Sequence, residues 1–537
     1  MIGHRRIWIA YFFLFILAIG FRLFVALRLP NDTPGDGVIY AQMARNVLEQ
    51  HVYSHETEAP FTPSIIRLPG YPLFLAGVYA VFGHGNNTAV RVVEVLIDSI
   101  TCVLIALIAF LWTSHDELKH RAAIAAFALA AICPFTTIYV ATILTEVPTN
   151  LLAILLCLVV TLALRSNARF RARLCWAIAG LTVGIAVLFR PDSGLFAAAT
   201  GITILLSAFL TSDKSEVWSR RFIQSVISAA IFSVAFCLVL VPWTIRNRRV
   251  FGVFQPLAPM HAEMPGEFVP QGYLKWVRSW LDDGRYIGPF LWDVDNKPLK
   301  IESLPVSAFD SVEEKARVAE LFAKYNKTEA QTNGPTGSAT AQASGSPSPE
   351  EERTGDEEEG DEDEADDSSD EESDTGDSDV EMTPEIDAGF AQIAKERISR
   401  RPIRYYLVLP AKRAVAIWFD THSQYWPFDG DLFPLKDLDY DIHQQWWLPL
   451  FAGLTWLYTI LGFAGCFFMW RSGLIEIRLL VQFAALLIFL RLGFFSSIEN
   501  PEPRYTVEFF PFLSILGGIA LAHLLRRRPN QIQRSES

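Results

Sequence analysis

The feature that most restricts this 537-residue chain is its series of long, nearly charge-free apolar runs. About 20 apolar residues carry a helix across a bilayer, and lipid demands that every backbone N–H and C=O be paired within the protein. Ten runs approach that length: Ile7–Leu27, Ala89–Trp112, Ala122–Thr142, Val147–Leu164, Cys175–Phe189, Ser193–Leu210, Phe222–Trp243, Trp446–Trp470, Leu479–Phe495 and Tyr505–Leu525. The expected fold is an all-α polytopic membrane protein with about ten transmembrane helices. Pro72–Phe82 is too short to span and reads as an interfacial helix. The first run is long, contains Arg22 and lacks a small-x-small cleavage site before Asn31, so it reads as a retained span.

Charge divides the chain unevenly. Residues 350–381 carry 20 acidic residues and one Arg, a net of −19, so the remainder stands at +6 against −13 overall. A mildly basic body with this hydropathy gives no reason to expect nucleic-acid binding. The six cysteines show no CxxC or metal spacing and lie in or beside apolar runs, so they read as small core hydrophobes.

The basic short segments "GHRR", "HDELKHR", "RSNARFRAR", "SDKSEVWSRR", "RSGLIEIR" and "LLRRRPNQIQR" all fall on one side of a ten-span chain, together with both termini. The positive-inside rule places that side in the cytoplasm. The turn holding Asp36, the "LTEVP" turn, "FRPDS", the long hydrophilic loop and "SSIENPEPRY" are then external. Five regions follow the N-terminal membrane module at 1–247: an external loop region at 248–327, an acidic insert at 328–383, an amphipathic region at 384–445, C-terminal helices at 446–525 and a tail at 526–537. The insert has almost no apolar residues and is expected to be disordered. "ISRRPIRYYLVLPAKRAVAIWFD" suits a membrane interface.

Ionisable residues near or within apolar runs are costly and mark function. Arg91, Glu94 and Asp98 recur at i, i+3 and i+7 on one helical face. Asp36, Arg67, Glu146, Arg190, Asp192, Arg246, Arg491, Glu499 and Arg504 crowd one level, the outer boundary. Snorkelling explains any one end-of-span charge but explains Glu94, Asp98 and Arg491 poorly. Asp36 has a plain reading as a helix cap and a sharper one as part of a reaction centre. Arginine forks bind phosphate bidentately, and a nearby carboxylate can take a proton from an acceptor hydroxyl or amine. A polyprenyl-phosphate-linked sugar, tail in the bilayer and phosphate at its surface, fits that depth.

The Asp36 helix, "RLPGYPLFLAGVYAVFG", "LTEVP", "LFRPD", "VPWTIRNRRVFGVFQPL" and "EPRYTVEFFPFL" resemble, in order and spacing, the GT-C membrane glycosyltransferases. The nearest branch is similar to dolichyl-phosphate-mannose protein mannosyltransferases and bacterial aminoarabinose transferases. The resemblance covers about residues 1–256, with the "RY…P" element as a second anchor. It implies a GT-C-like helical bundle with a large external loop, at the plasma (inner) membrane with its site on the external or periplasmic side. It also implies inverting transfer from a polyprenyl-phosphate sugar lipid to a glycan, lipid or protein acceptor. Asp36 would be the catalytic acid of the first external loop and Glu146 the acid of the next. Arg67, Arg190, Arg246 and Arg504 are the candidates for the donor phosphate, with Tyr40, Arg91, Glu94, Asp98 and Tyr505 in support. "RLPGYP" has an equally good structural reading, as a Pro-Gly turn that enters the interfacial helix.

Some members of the family use a divalent metal and others do not. His51, His55 and Glu56 could ligate one, although a hydrophilic loop with incidental histidines is the preferred reading. Two other functional classes fit the outer-face arrangement less well or equally. A lipid-linked glycan transporter would place its polar groups at the midplane, where these spans offer few. A glycan ligase or polymerase shares the outer-face logic.

Overall fold

The computed structural model describes residues 2–30, 35–210, 218–327, 380–432 and 442–526. Expectations for the acidic segment up to residue 379 and for the tail from residue 527 lie outside the described residues. In chain order the helices are α1 (Ile2–Arg28), α2 (Asp36–Glu49), α3 (Gly70–Phe82), α4 (Asn87–Trp112), α5 (Asp116–Ala131), α6 (Pro134–Thr137), α7 (Glu146–Leu164), α8 (Arg169–Phe189), α9 (Gly194–Leu210) and α10 (Trp218–Phe251). Then follow α11 (Gln271–Arg278), α12 (Val312–Tyr325), α13 (Pro384–Arg400), α14 (Leu409–Phe419), α15 (Ile442–Arg471), α16 (Ile475–Ser497) and α17 (Phe509–Leu524). No strand occurs among the described residues.

Among the described residues eight helices are long and apolar enough to cross a membrane, and nine when α5 and the segment Pro134–Ala141 that begins with α6, bent by 51°, count as one span. The tenth expected run forms α17, whose 16 residues fall short of that length. The fold is thus all-α and multi-pass, with the short α3 standing where the interfacial helix was expected.

The bend after α5 has a local cause. Pro134 has no N–H to offer the preceding turn, and the carbonyls at the break accept from Arg22, Ala131 at 3.0 Å and Ala130 at 3.1 Å, the latter beside a bond from the Cys133 N–H at 3.4 Å. Arg22 in turn donates to Asp98 at 2.6 Å, with both side chains buried. A buried charge is tolerable only when paired and fully bonded, and this arginine is both.

The chain divides into two compact units. Met1–Val269, Asp282–Gly284 and Arg401–Ser537 form the membrane unit, in which α8 lies along α10 and α17 lies along both α5 and α15. Gly70 opens α3 so close to the end of α8 that an added Cβ would stand 2.5 Å from the Leu188 carbonyl oxygen. Only glycine permits that approach.

Pro270–Leu281 and Arg285–Arg400 form the second unit. Its core is aromatic, built from Tyr273, Trp276, Trp280, Phe290, Phe322 and Phe390, with Arg397 and Glu314 paired inside it at 2.5 Å. Two sequence boundaries change here. Val380 and Met382, expected within the acidic insert, are buried in this core. The expected amphipathic region is also split, since 384–400 belongs to the second unit and the chain from Arg401 to the membrane unit. Apolar residues at equal composition look alike in sequence, so the partner that covers them is what sets the boundary. All six cysteines are free, but Cys237 is exposed on α10 rather than in the core.

Candidate functional site

The site begins with a glycine. Gly35 holds φ at 63° ahead of α2 and leaves Asp36 as the first helical residue. The N-cap position is Gly35, which has no side chain to offer, so Asp36 stands one place inside the helix and not at its cap. The Asp36 carboxylate faces sideways to Arg67 Nη2 at 2.7 Å and to Arg504 Nη2 at 3.4 Å. Arg67 stands just ahead of the "LPGYP" turn into α3, and its carbonyl accepts from the Tyr53 hydroxyl at 3.2 Å. Arg504 lies in a single 3₁₀ turn, Pro503–Thr506, between α16 and α17. Glu502 pairs with Arg504 Nε at 2.7 Å and accepts from the Tyr505 hydroxyl at 2.8 Å.

A second group of charges is more deeply buried. Glu146, in the first turn of α7, meets Arg190 Nη1 at 2.7 Å. Arg190 Nε also bonds Asp192 at 3.2 Å. Arg491 pairs with Asp192 and, at 2.9 Å, with Glu508. Tyr505 joins the two groups: the Arg190 and Arg504 guanidiniums stand 5.5 Å and 5.2 Å from its ring, which stacks on Phe495 at 4.2 Å. Such cation–π contacts hold the arginines without consuming their N–H donors.

Electrostatics distinguish the two groups. Burial opposes ionisation of Asp36, but the Arg67 and Arg504 charges outweigh it and hold its carboxyl below the usual range. Burial likewise opposes the charge on Arg504, and the neighbouring carboxylates and phenols more than restore it. In the deeper group three carboxylates share two guanidiniums. Glu146 Oε2 and Glu508 Oε2 find no hydrogen-bond partner among the described residues. Tyr40, one turn beyond Asp36, is raised to about 12 by burial and by the Asp36 charge.

Asp36, Arg67 and Arg504 thus come together, and Glu146 joins Arg190 behind them. Four expected members stand elsewhere. Arg246 donates to the Ser64 carbonyl at 2.8 Å and packs among Tyr53, Trp243 and Phe251, so it anchors the 53–64 loop to α10. Arg91 donates to the carbonyls of Ala26, Leu29 and Pro30 and so closes the end of α1. Asp98 serves Arg22. Glu94 accepts from the Tyr71 hydroxyl at 2.8 Å, while its other oxygen has no partner among the described residues. Glu56 is bonded to the Thr62 backbone and hydroxyl, both at 2.5 Å. No group of three or more His, Cys, Asp or Glu among the described residues is arranged to hold a metal. His51, His55 and Glu56 therefore do not assemble as a ligand set.

Glu502 and Glu508 were not among the expected site residues. Glu508 carries the signal already used for Arg491, a charge at the mouth of an apolar run. Glu502 stands two residues before Arg504 within the quoted "NPEPRY" turn.

Residues 63–243 match the family model of dolichyl-phosphate-mannose-protein mannosyltransferase. That segment contains Arg67, Glu146 and Arg190, so the resemblance to GT-C membrane glycosyltransferases holds where the sequence motifs are densest. No curated protein sequence matches the chain. Among solved structures, the Archaeoglobus fulgidus oligosaccharyltransferase in complex with Zn and sulfate is 11% identical, with a TM-score of 0.46 over 95% of this chain and 49% of that one. The same organism's AglB, in complex with an inhibitory peptide and a dolichol-phosphate, is 11% identical with a TM-score of 0.44 over 95% and 50%. ArnT from Cupriavidus metallidurans bound to undecaprenyl phosphate is 13% identical with a TM-score of 0.38 over 96% and 78%. This chain spans about half the length of the archaeal oligosaccharyltransferase chains.

Proposed function

We propose that this protein is a GT-C-type glycosyltransferase that moves a sugar from a polyprenyl-phosphate lipid to an acceptor at the outer face of the membrane, with inversion and with Asp36 as base. One observation carries the reading: the Asp36 carboxylate stands between two guanidiniums, Arg67 and Arg504, that belong to different parts of the chain. A lone phosphate oxyanion and a carboxylate compete for the same forks.

That competition gives the site a sequence of events. With both arginines on Asp36, its basicity is low, which suits a resting state and not a base at neutral pH. A donor phosphate drawing Arg67 and Arg504 to itself relieves Asp36 of two positive neighbours, and its pKa rises toward that of the acceptor proton. The acceptor O–H or N–H then attacks the anomeric carbon from the face opposite the phosphate. The bond between that carbon and the phosphate oxygen breaks, its electron pair leaves with the polyprenyl phosphate, and the acceptor proton passes to Asp36. Arg67 and Arg504 stabilise the charge that develops on the leaving phosphate. Arg190 holds Glu146 behind Tyr505 and keeps that wall in place. The positive-inside pattern supports the outer-face placement.

The test is Asp36→Asn in purified full-length protein, with undecaprenyl phosphate binding and sugar transfer measured side by side. The reading expects binding to persist and transfer to collapse. Near-normal transfer by Asp36→Asn would move the base elsewhere, to Glu146 first.

A further inference from the structure

We propose that His422 is a positioning residue that sets the Arg504 turn, acting through Thr506; the functional part of this inference rests on the reading that Arg504 meets the donor phosphate. His422 lies in the loop after α14, in the membrane unit, and is buried. Its Nδ1 stands 2.8 Å from the Asp420 carbonyl oxygen, which can only accept, so Nδ1 carries the proton. Nε2 then faces the Thr506 hydroxyl at 2.8 Å as one of three acceptors around its single proton, beside the Pro503 carbonyl at 2.8 Å and the Ile417 carbonyl at 3.0 Å. Thr506 is the last residue of the 3₁₀ turn that holds Arg504. The same ring meets Phe510, in the first turn of α17, edge-on at 5.1 Å. One imidazole therefore touches the chain at two points, Thr506 just after Arg504 and Tyr505, and Phe510 just after Glu508.

The grip is held in an unusual backbone. His422 and Tyr425 both have positive φ, 51° and 67°, a conformation that strains non-glycine residues and persists where surroundings over-determine it. The surroundings here do so. Thr421 donates to the Gly430 carbonyl at 3.0 Å, Ser423 donates to Asp429 at 3.0 Å, and the Asp420 carboxylate accepts from the His422 N–H at 2.7 Å. Burial holds the ring neutral, at about 4, so the acceptor role of Nε2 persists at neutral pH. A loop that serves only to join α14 to α15 has no need of two strained residues, a buried imidazole and a closed set of hydroxyl bonds.

The experiment uses full-length protein in nanodiscs with His422→Asn, Thr506→Val, the double variant and Thr506→Ser. Asparagine tolerates the positive φ but cannot reach Thr506, valine keeps the shape of threonine without its hydroxyl, and serine keeps the hydroxyl. Amide hydrogen exchange at residues 503–508 reads the turn. Binding of undecaprenyl phosphate and the separate kcat and KM of transfer read its use. His422→Asn and Thr506→Val should each speed exchange and raise the lipid Kd and KM roughly fivefold to tenfold, the scale of one buried hydrogen bond, with kcat changed far less. The double variant should be no worse than either single, and Thr506→Ser should match wild type. Unchanged exchange at 503–508 in folded Thr506→Val overturns the positioning role, whatever His422→Asn does to folding. Faster exchange without any change in Kd or KM overturns its use for the donor. If exchange quickens while the wild type itself binds no undecaprenyl phosphate, the positioning of the turn stands and the donor assignment of the proposed function falls.

Discussion

Two Arg–Asp pairs of nearly equal length sit in this membrane unit and differ in everything but length. Arg22 and Asp98 meet at 2.6 Å with side chains 0% and 3% exposed, and Arg22 also bonds the backbone carbonyls at a helix break and the Cys102 sulfur. Arg67 and Asp36 meet at 2.7 Å with side chains 22% and 28% exposed, and Asp36 shares itself with a second arginine at 3.4 Å. The inner pair is saturated and closed, while the outer one is accessible and divided between two partners. A short contact therefore says little about role. What separates a structural pair from a working one is whether either group can exchange its partner at low cost.

Exchanging the two aspartates is the strongest way to break that comparison. Asp36→Asn should cut sugar transfer by about 10²–10⁴-fold, the usual worth of a positioned general base, with little change in thermal stability. Asp98→Asn should do the reverse. It leaves Arg22 charged and under-partnered in the bundle, where breaking a buried pair costs about 3–5 kcal/mol, but transfer per folded molecule should stay near wild type. A thermal melt and a transfer assay on both variants suffice. Equal losses of activity in both would erase the distinction between the pairs.

How much of this was legible beforehand follows the same line. The spans were readable because lipid forces long apolar helices, and Asp36 stood out because its Pro-Gly turn follows the first of them. The helical period put Arg91, Glu94 and Asp98 on one face, and all three are indeed buried together on α4. Periodicity gives the face but not the occupant opposite it. Arg91 meets the end of α1, Asp98 meets Arg22, and Glu94 meets Tyr71, three separate tasks on one stripe. Arg246 resembled a phosphate fork in its motif, but the aromatic box that holds it depends on Tyr53, nearly 200 residues away in sequence and invisible to local spacing. The second unit was missed for a similar reason, since its core draws on both sides of the acidic segment.

Smaller changes sharpen the comparison. Arg67→Lys and Arg504→Lys keep the charge and remove the fork, so each should weaken undecaprenyl phosphate binding by about tenfold, near the lower end of the roughly 1.5–3 kcal/mol that one hydrogen bond to a charged group contributes. Arg22→Lys should not affect binding. Tyr71→Phe should lower stability by about 1–3 kcal/mol, because Glu94 then loses the one hydroxyl bonded to its carboxylate and a buried acceptor is left unmet. A melt of Tyr71→Phe unchanged from wild type would mean that Glu94 finds another donor.

The smallest effect is the response of stability to acid, and it separates the outer pair from a mere contact. The Asp36 carboxyl is held below its ordinary value in the folded protein, so the unfolded chain binds its proton first as pH falls. By linkage the stabilisation is fully present above the unfolded pKa, about 3.9, and is lost as pH falls through the lower folded value. Between pH 7 and 5 the difference in melting temperature between wild type and Asp36→Asn should therefore be flat. Below about pH 4 it should shrink, as the wild type loses what the variant never had. Because Asp36 is more than a quarter exposed, solvent screening keeps the amplitude small, and salt should reduce it further. Saturating undecaprenyl phosphate should shrink the size of this acid loss, with its onset unmoved, if the lipid phosphate draws Arg67 and Arg504 from the carboxylate, since the folded pKa then climbs toward the unfolded one. An acid loss of the same size with and without the lipid would mean that phosphate and Asp36 do not share those two arginines.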